Sequence, residues 1–253
     1  MKTRIGIAVT GLVLSCAAGS ALGTNYTINW MSLAPTPIGN PPPFVGNYSL
    51  PGVGPVTMSY TAHSDFLEAR QQYGPFQNGS VVNGPDTYAW ANHEGLARTN
   101  WGFSGAVNSS WSVTFTFSGT VPAGQLALTV FGLGRRNPLP GETVADAMTL
   151  ATVNQNGTFL GDFNPTAVGP TQFIPGAGIF QMHNSLTGPG GQDPWWNTGM
   201  GVVRIDDAVS SLTVHFDHTS GDGVGVSLGS IVPTPGTLAL LSLAGLGACR
   251  RRR

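Results

Sequence analysis

The sequence predicts an all-β domain built as a two-sheet β-sandwich, with a jelly roll as one candidate topology. Trp111, Val113, Phe115 and Phe117 alternate with serine and threonine, which is the two-residue period of a strand with one apolar and one hydroxyl face. Further short strand-like segments follow, separated by turn residues. Charged residues make up only 9% of the chain, and this composition favours a packed core over disorder despite 36 glycines and 19 prolines.

Regular strands are predicted from Trp111 onward. We expect strands over residues 111–117, 125–131, 178–183 and 199–205. Three hairpins are predicted from turn residues: residues 143–153 with 158–163 across an Asn-Gly turn, residues 211–217 with 224–232, and residues 111–117 with 125–131 across a turn at 118–124.

The N-terminal third is predicted to be rich in loops. Residues 24–56 are dense in Pro, Gly and Asn, which indicates one edge strand and an extended loop. A helical turn is predicted over residues 64–72 with Ser64 as its N-cap, and residues 78–105 are predicted to be mostly loop.

The first 23 residues have the order of a secretory signal peptide. Lys2 and Arg4 precede an uncharged stretch, and Ala21-Leu22-Gly23 offers small residues for cleavage after Gly23 or, alternatively, after Ala21. Two other hypotheses remain: an uncleaved membrane helix, and a lipoprotein in which Cys16 is acylated.

The last residues combine three features of a membrane-directed tail. A proline-rich motif comes first, then a short apolar run over residues 237–249, and then four arginines. The apolar run is shorter than the roughly 20 residues of a comfortable span, and the arginines favour the cytoplasmic side. The motif and cluster residues are Val232, Pro233, Thr234, Pro235, Arg250, Arg251, Arg252 and Arg253.

This tail resembles the PEP-CTERM sorting signals of exported bacterial proteins, in order, spacing and C-terminal position. Thr234 stands where that family most often has Glu. The resemblance is limited to about residues 232–253. It implies recognition by an exosortase-type processing enzyme, transient inner-membrane association through residues 237–249, and frequent association with exopolysaccharide. The alternative is a C-terminal anchor that is never cut.

The predicted mature domain, residues 24–232, is acidic. It holds five arginines, no lysine and all 12 acidic residues, which gives a net charge of −7. Such a surface argues against nucleic-acid binding and against adsorption to anionic lipid. Both cysteines, Cys16 and Cys249, lie in segments predicted to be removed, so no disulfide is expected in the domain.

One cofactor hypothesis emerges, a structural calcium ion. Asp217 and Asp222 flank a glycine-rich turn of hard oxygen donors, and Asp206 and Asp207 form a second acidic turn nearby in sequence. The alternative is an ordinary Asp/Gly reversal without an ion.

A second hypothesis is glycan contact through the adjacent pair Trp195 and Trp196. Trp90 and Trp101 would complete an aromatic platform on which sugar rings stack. The alternative is a loop closed by packed aromatic side chains.

Two catalytic patterns are weak. Ser227 lies in a Gly-x-Ser-x-Gly sequence, but the nucleophile elbow needs a following helix and a downstream histidine, and neither is predicted. His215 and Asp217 should share one strand face, which supplies two neighbouring groups rather than a zinc site.

The sequence therefore predicts a signal peptide over residues 1–23, a β-sandwich domain over 24–232 and a sorting tail over 233–253. We expect an exported, non-enzymatic cell-surface or extracellular-matrix protein that reaches its location via the inner membrane. The alternatives are a surface-displayed carbohydrate-binding sandwich and, third, a secreted hydrolase.

Overall fold

A computed structural model describes ten segments of the chain: residues 23–33, 44–61, 67–71, 78–99, 109–134, 140–143, 148–162, 171–184, 199–218 and 224–234. Within them lie sixteen strands. The strands are β1 Asn25–Trp30, β2 Phe44–Leu50, β3 Gly54–Thr61, β4 Leu67–Gln71, β5 Gly79–Asn83, β6 Asp86–Trp90, β7 Gly95–Thr99, β8 Ser109–Val121, β9 Leu126–Leu133, β10 Leu150–Val153, β11 Gly157–Asp162, β12 Thr171–Gly176, β13 Ile179–Asn184, β14 Gly199–Ile205, β15 Val209–His218 and β16 Val224–Pro233. A search of these segments finds no helix with the length and apolarity to cross a membrane.

The strands form two sheets, which confirms the predicted all-β sandwich class. The seven-stranded sheet has the order β12-β13-β10-β15-β8-β3-β2. The nine-stranded sheet has the order β11-β14-β9-β16-β1-β6-β5, and β7 pairs with β16 beside β1 while β4 pairs with β7. Neighbours in the seven-stranded sheet are all antiparallel, whereas β1 and β6 run parallel.

The first core lies between the two sheets. The alternation predicted in residues 111–117 is confirmed, because the apolar residues of β8 point into this core and the hydroxyl residues between them point outward. Trp111 stacks on Phe216 of the neighbouring strand, with ring centroids 4.4 Å apart. From the other sheet, Leu128 and Leu228 pack into the same core.

A second core lies on the opposite face of the nine-stranded sheet. This sheet curls so that its ends approach each other, and the Asn83 Nδ2 donates to the carbonyl of Phe159 at 2.8 Å. The enclosed side chains are Ile28, Trp30, Val81, Tyr88, Trp90, Ala127, Phe131, Leu160, Val202 and Ile231. Because β9 and most of β16 face a core on both sides, these strands are buried at successive residues rather than at alternate ones.

All three predicted hairpins are wrong as strand pairings. β10 and β11 lie in different sheets, and so do β15 and β16 and also β8 and β9, so each connection crosses from one sheet to the other. In the first turn, the Asn154 Oδ1 accepts from the Thr213 N–H at 2.7 Å, and the Asn156 Oδ1 accepts from the Gly178 N–H at 2.9 Å. Side chains in this turn thus bind other strands and turns, and the turn does not fold β11 back onto β10.

The first third of the chain contains more regular structure than the predicted loops. Seven strands, β1 to β7, lie between Asn25 and Thr99. β1 is an interior strand between β16 and β6, not an edge strand. Leu67–Gln71 forms a strand against β7, so the helical turn predicted there is wrong: the backbone of β7 supplies a pairing edge that local propensity does not reveal.

Candidate functional site

The outer face of the seven-stranded sheet carries a regular array of hydroxyl side chains. Strand register aligns Thr57, Thr116 and Ser211 in one row across the sheet, and Ser59, Thr114 and Thr213 in the next. A third row joins Ser112, His215 and Thr152. We call these nine residues the hydroxyl face. It exists because the inward positions of the same strands are apolar and buried.

Hydrogen bonds link neighbouring strands within the hydroxyl face. The Thr114 and Thr213 hydroxyl oxygens lie 3.0 Å apart, and the Ser112 hydroxyl lies 2.9 Å from the His215 Nδ1. Amide side chains extend the network at both sides: the Thr57 hydroxyl donates to Asn47 at 3.0 Å, and the Gln181 Nε2 donates to Thr152 at 3.2 Å. These cross-strand bonds hold the hydroxyl groups in fixed positions.

Ser112, His215 and Asp217 have the connectivity of a catalytic triad. The His215 Nδ1 faces the serine, and its Nε2 lies 3.4 Å from the Asp217 Oδ1. The prediction that His215 and Asp217 share a face is confirmed. Acyl transfer also needs free backbone N–H groups that stabilise an oxyanion. Ser112 lies in β8, which is paired with β15 on one side and β3 on the other, so its surrounding backbone donors are committed to the sheet.

Ser227 lies in the middle of β16 rather than at a turn from a strand to a helix. Its side chain is buried, and its hydroxyl donates to the backbone carbonyl of Glu94 at 2.6 Å. The Gly-x-Ser-x-Gly letters therefore mark a strand on which the two glycines flank a buried serine. Gly229 lies where a Cβ atom would come within 2.6 Å of Ile28.

A buried polar cluster sits in the second core beside Ser227. The His93 Nε2 lies 3.2 Å from the Thr129 hydroxyl, and the Glu94 carboxylate accepts from the Leu33 N–H at 2.9 Å. Burial lowers the pKa of His93 from 6.5 to about 3, while the negative charge of Glu94 acts in the opposite direction. The His93 imidazole is therefore neutral, and it is packed in the protein interior. Composition did not reveal this cluster; only the pairing of distant strands brings it together.

Asp206 and Asp207 both accept hydrogen bonds from neighbouring strands and turns. Asp206 accepts from the Arg204 Nε at 2.8 Å and from the Thr158 hydroxyl at 2.6 Å, and its hydrogen bond raises the pKa of Arg204. Asp207 accepts from the Asn156 backbone N–H at 2.6 Å and from its Nδ2 at 3.0 Å, and these bonds lower the pKa of Asp207. Each carboxylate thus has protein donors.

The structure does not bring these two aspartates to Asp217. They precede β15, whereas Asp217 lies near its far end, so about 30 Å of strand separates the two positions at roughly 3.3 Å per residue. The idea that Asp206 or Asp207 assists an ion at the Asp217–Asp222 turn is therefore wrong. Asp222 lies outside the described residues. No group of three or more metal-ligating side chains occurs within the described segments.

Of the four tryptophans considered for a sugar-binding platform, the structure describes Trp90 alone. Trp90 is buried in the second core, where its ring meets Trp30 edge-on at 6.2 Å, so it cannot join a surface platform for sugars. Trp101, Trp195 and Trp196 lie outside the described residues. The glycan contact predicted for the Trp195–Trp196 pair stays a prediction.

The start of the predicted sorting motif is part of the nine-stranded sheet. Val232 pairs with Thr27 and Pro233 with Tyr26, and the Thr234 N–H donates to the Asn25 carbonyl at 2.7 Å. Val232 is 41% exposed, so this end of the strand reaches the surface. Pro235 and Arg250 to Arg253 lie outside the described residues.

Comparison with known proteins adds no relative from which a function could be transferred. No protein-family model, no curated protein and no solved structure matches this chain.

Proposed function

We propose that this chain is an exported, non-enzymatic protein of the cell surface or extracellular matrix, processed by an exosortase-type enzyme and associated with exopolysaccharide. The observation that supports this route best is the antiparallel pairing of β1 with β16, in which Tyr26 lies opposite Pro233. The two predicted processing regions, after Gly23 and around the proline motif, therefore adjoin the same end of two neighbouring strands.

This arrangement suits a domain whose two ends are both held at one membrane. Lys2 and Arg4 favour the cytoplasmic side, and so do the four C-terminal arginines, so both apolar segments would lead outward to the domain. Neighbouring strands are about 4.8 Å apart. The adjacent ends of β1 and β16 could therefore both face the membrane while the two strands stay paired.

The polar residues favour a non-enzymatic role. Ser227 is buried and donates to a backbone carbonyl, and the Ser112–His215 pair lies on a sheet face whose backbone donors are used in strand pairing. Screening of esterase and glycosidase substrates is expected to give no turnover that depends on these residues. Turnover abolished by both Ser112→Ala and His215→Ala would favour the hydrolase alternative instead.

Intact mass spectrometry of the surface fraction tests the route. The mature species should lack residues 1–23 and the arginine cluster Arg250 to Arg253. A variant with all four arginines replaced by glutamine should escape cleavage and keep its tail, because without the cytoplasmic stop the apolar run is no longer held across the inner membrane. A surface species that retains the arginines would contradict sorting, and an acyl group on Cys16 would identify a lipoprotein.

A surface-displayed carbohydrate-binding sandwich is the second candidate function. It shares the export route, and the hydroxyl face favours it. The two candidates differ in whether the folded domain itself binds glycan.

A further inference from the structure

We infer that the hydroxyl face is a binding surface for an uncharged polysaccharide. The inference rests on the second candidate function, a carbohydrate-binding sandwich, and deepens it, because it assigns the contact to a particular sheet face and the ligand to a charge class. The site differs from the Trp195–Trp196 loop that the sequence suggests.

The regular spacing of the hydroxyl face suits a ligand that repeats. Two rows of residues cross β3, β8 and β15, and the third row crosses β8, β15 and β10. Neighbours within a row are about 4.8 Å apart, and successive rows are about 6.7 Å apart, because one row lies two residues along each strand from the next. A polymer with hydroxyl groups on every unit can meet such a grid at many points.

The hydroxyl groups keep hydrogen-bonding capacity after they bind one another. A hydroxyl has one donor and two acceptor lone pairs. In the Thr114–Thr213 pair only one of the two donors is used, so the pair still offers one O–H donor and further lone pairs to a ligand. Both side chains are half-buried, and the pair therefore reaches the surface.

The charge of the face selects an uncharged partner. Asp217 is the one acidic residue beside the hydroxyl face in the described part of β15, and the predicted mature domain carries a net charge of −7 without any lysine. An anionic polymer would meet the Asp217 carboxylate and no arginine or lysine among the nine residues. A protein partner would require the apolar, aromatic or arginine contacts that form interface centres. None of the nine residues supplies them, and the exposed Val45 and Ile174 lie only at the two margins of the face.

The face is an open sheet surface, so each sugar unit should contribute little and chain length should dominate affinity. Hydroxyl hydrogen bonds made in exchange for water are individually weak. When one unit is bound, the next unit of the same chain is held at high effective concentration over the next row. Short oligosaccharides should therefore bind far more weakly than the polymer from which they derive.

The test uses the full-length protein and six insoluble uncharged polysaccharides: cellulose, xylan, mannan, starch, curdlan and chitin. Wild-type protein should co-sediment with at least one of them. The double variant Thr114→Val/Thr213→Val keeps the β-branched shape but removes both hydroxyls, and it should bind about tenfold more weakly. The matched control, Thr87→Val, changes the same residue type on the other sheet and should bind as the wild type does. Melting curves confirm that all three proteins are folded.

Three outcomes overturn the inference. Binding to none of the six polymers removes a neutral glycan ligand. Alginate beads, an anionic polymer, are tested beside the six, and salt-sensitive binding to alginate alone shows that the charge argument fails. Unchanged binding by the double variant overturns the inference, and loss in Trp195→Ala/Trp196→Ala would then assign the contact to the tryptophan pair and leave the proposed association intact. The localisation part of the proposed function is tested separately by mass spectrometry, so its failure would be distinguishable.

Discussion

The Nε2 atom of His93 lies 3.2 Å from the hydroxyl oxygen of Thr129 within the second core. The imidazole ring also meets Trp30 edge-on, with ring centroids 4.8 Å apart. A charged imidazole would have to give up its hydration in this apolar environment, and burial therefore lowers its pKa to about 3. The folded protein thus contains a histidine that resists protonation.

Stability should consequently fall as the solution is acidified. His93 has a folded pKa near 3 and an ordinary value of 6.5, so below 6.5 the unfolded chain binds a proton that the folded chain does not. The contribution of the neutral side chain is fully present above pH 6.5 and is lost as pH falls towards 3. The free energy of unfolding should drop by up to about 1.4 kcal/mol per pH unit in this window.

His93→Gln isolates this effect, because the glutamine amide can still bond to Thr129 but does not titrate. Chemical denaturation from about pH 7.5 to about pH 4.5 should give a steeper loss in the wild type than in the variant. This pH range lies above the titration of the Asp207 carboxylate, whose pKa is lowered. Parallel pH profiles would mean that His93 is solvated in the folded state.

Trp111 should be among the most sensitive positions of the first core. Its side chain is 2% exposed and stacks on Phe216. Trp111→Asp would bury an unpaired charge and should cost more than about 4 kcal/mol, enough to unfold the domain. Trp111→Phe keeps an apolar ring and should cost only about 1 kcal/mol.

Circular dichroism during denaturant titration measures both Trp111 variants. The matched control is Ser110→Asp, which places the same carboxylate on the exposed neighbour in β8. Because this position lies opposite Asp217, the control should cost up to about 1 kcal/mol, far less than Trp111→Asp. Similar losses in Trp111→Asp and Ser110→Asp would show that charge on the strand, rather than burial, is responsible.

Gly229 is required for close packing between β16 and β1. A Cβ atom at this position would lie 2.6 Å from Ile28 and 2.8 Å from the ring of Trp30. Gly229→Ala should therefore destabilise the protein by about 1–3 kcal/mol through overpacking. Gly119→Ala, where a Cβ atom meets nothing within 4 Å, is the control and should change stability by less than about 0.5 kcal/mol. Equal effects would show that the second core can relax around an added methyl group.

The sequence could predict the seven-stranded sheet better than the nine-stranded one. Strand β8 has a core on one face and solvent on the other, so its alternation is visible in the sequence. β9 and β16 are buried on both faces, and their alternation disappears. Small residues such as Gly229 mark the second core instead, and such residues look like turn signals when pairing partners are unknown.

Sheet assignment and the polar sites depend on contacts between distant residues. The turn residues at 154–157 predict a turn between two strands, but only the pairing of β11 with β14 shows that β11 belongs to the other sheet. The hydroxyl residues of β8 are visible as a pattern. Their alignment with Thr213 and Ser59 follows from register, which a single sequence does not contain. The contact between His93 and Thr129 likewise depends on strand pairing that a single sequence does not contain.

The calcium hypothesis now concerns only the C-terminal end of β15, where Asp217 lies. If the turn from Asp217 to Asp222 binds calcium, millimolar calcium should raise the melting temperature relative to chelator, by about 5 °C when binding adds about 2.7 kcal/mol. Asp222→Ala should abolish this shift. Asp207→Ala should retain it, because Asp207 lies at the opposite end of the strand and is bonded to Asn156. Equal melting temperatures in calcium and chelator would leave the turn as an ordinary reversal, and a shift lost only in Asp207→Ala would place an ion at the β14–β15 turn.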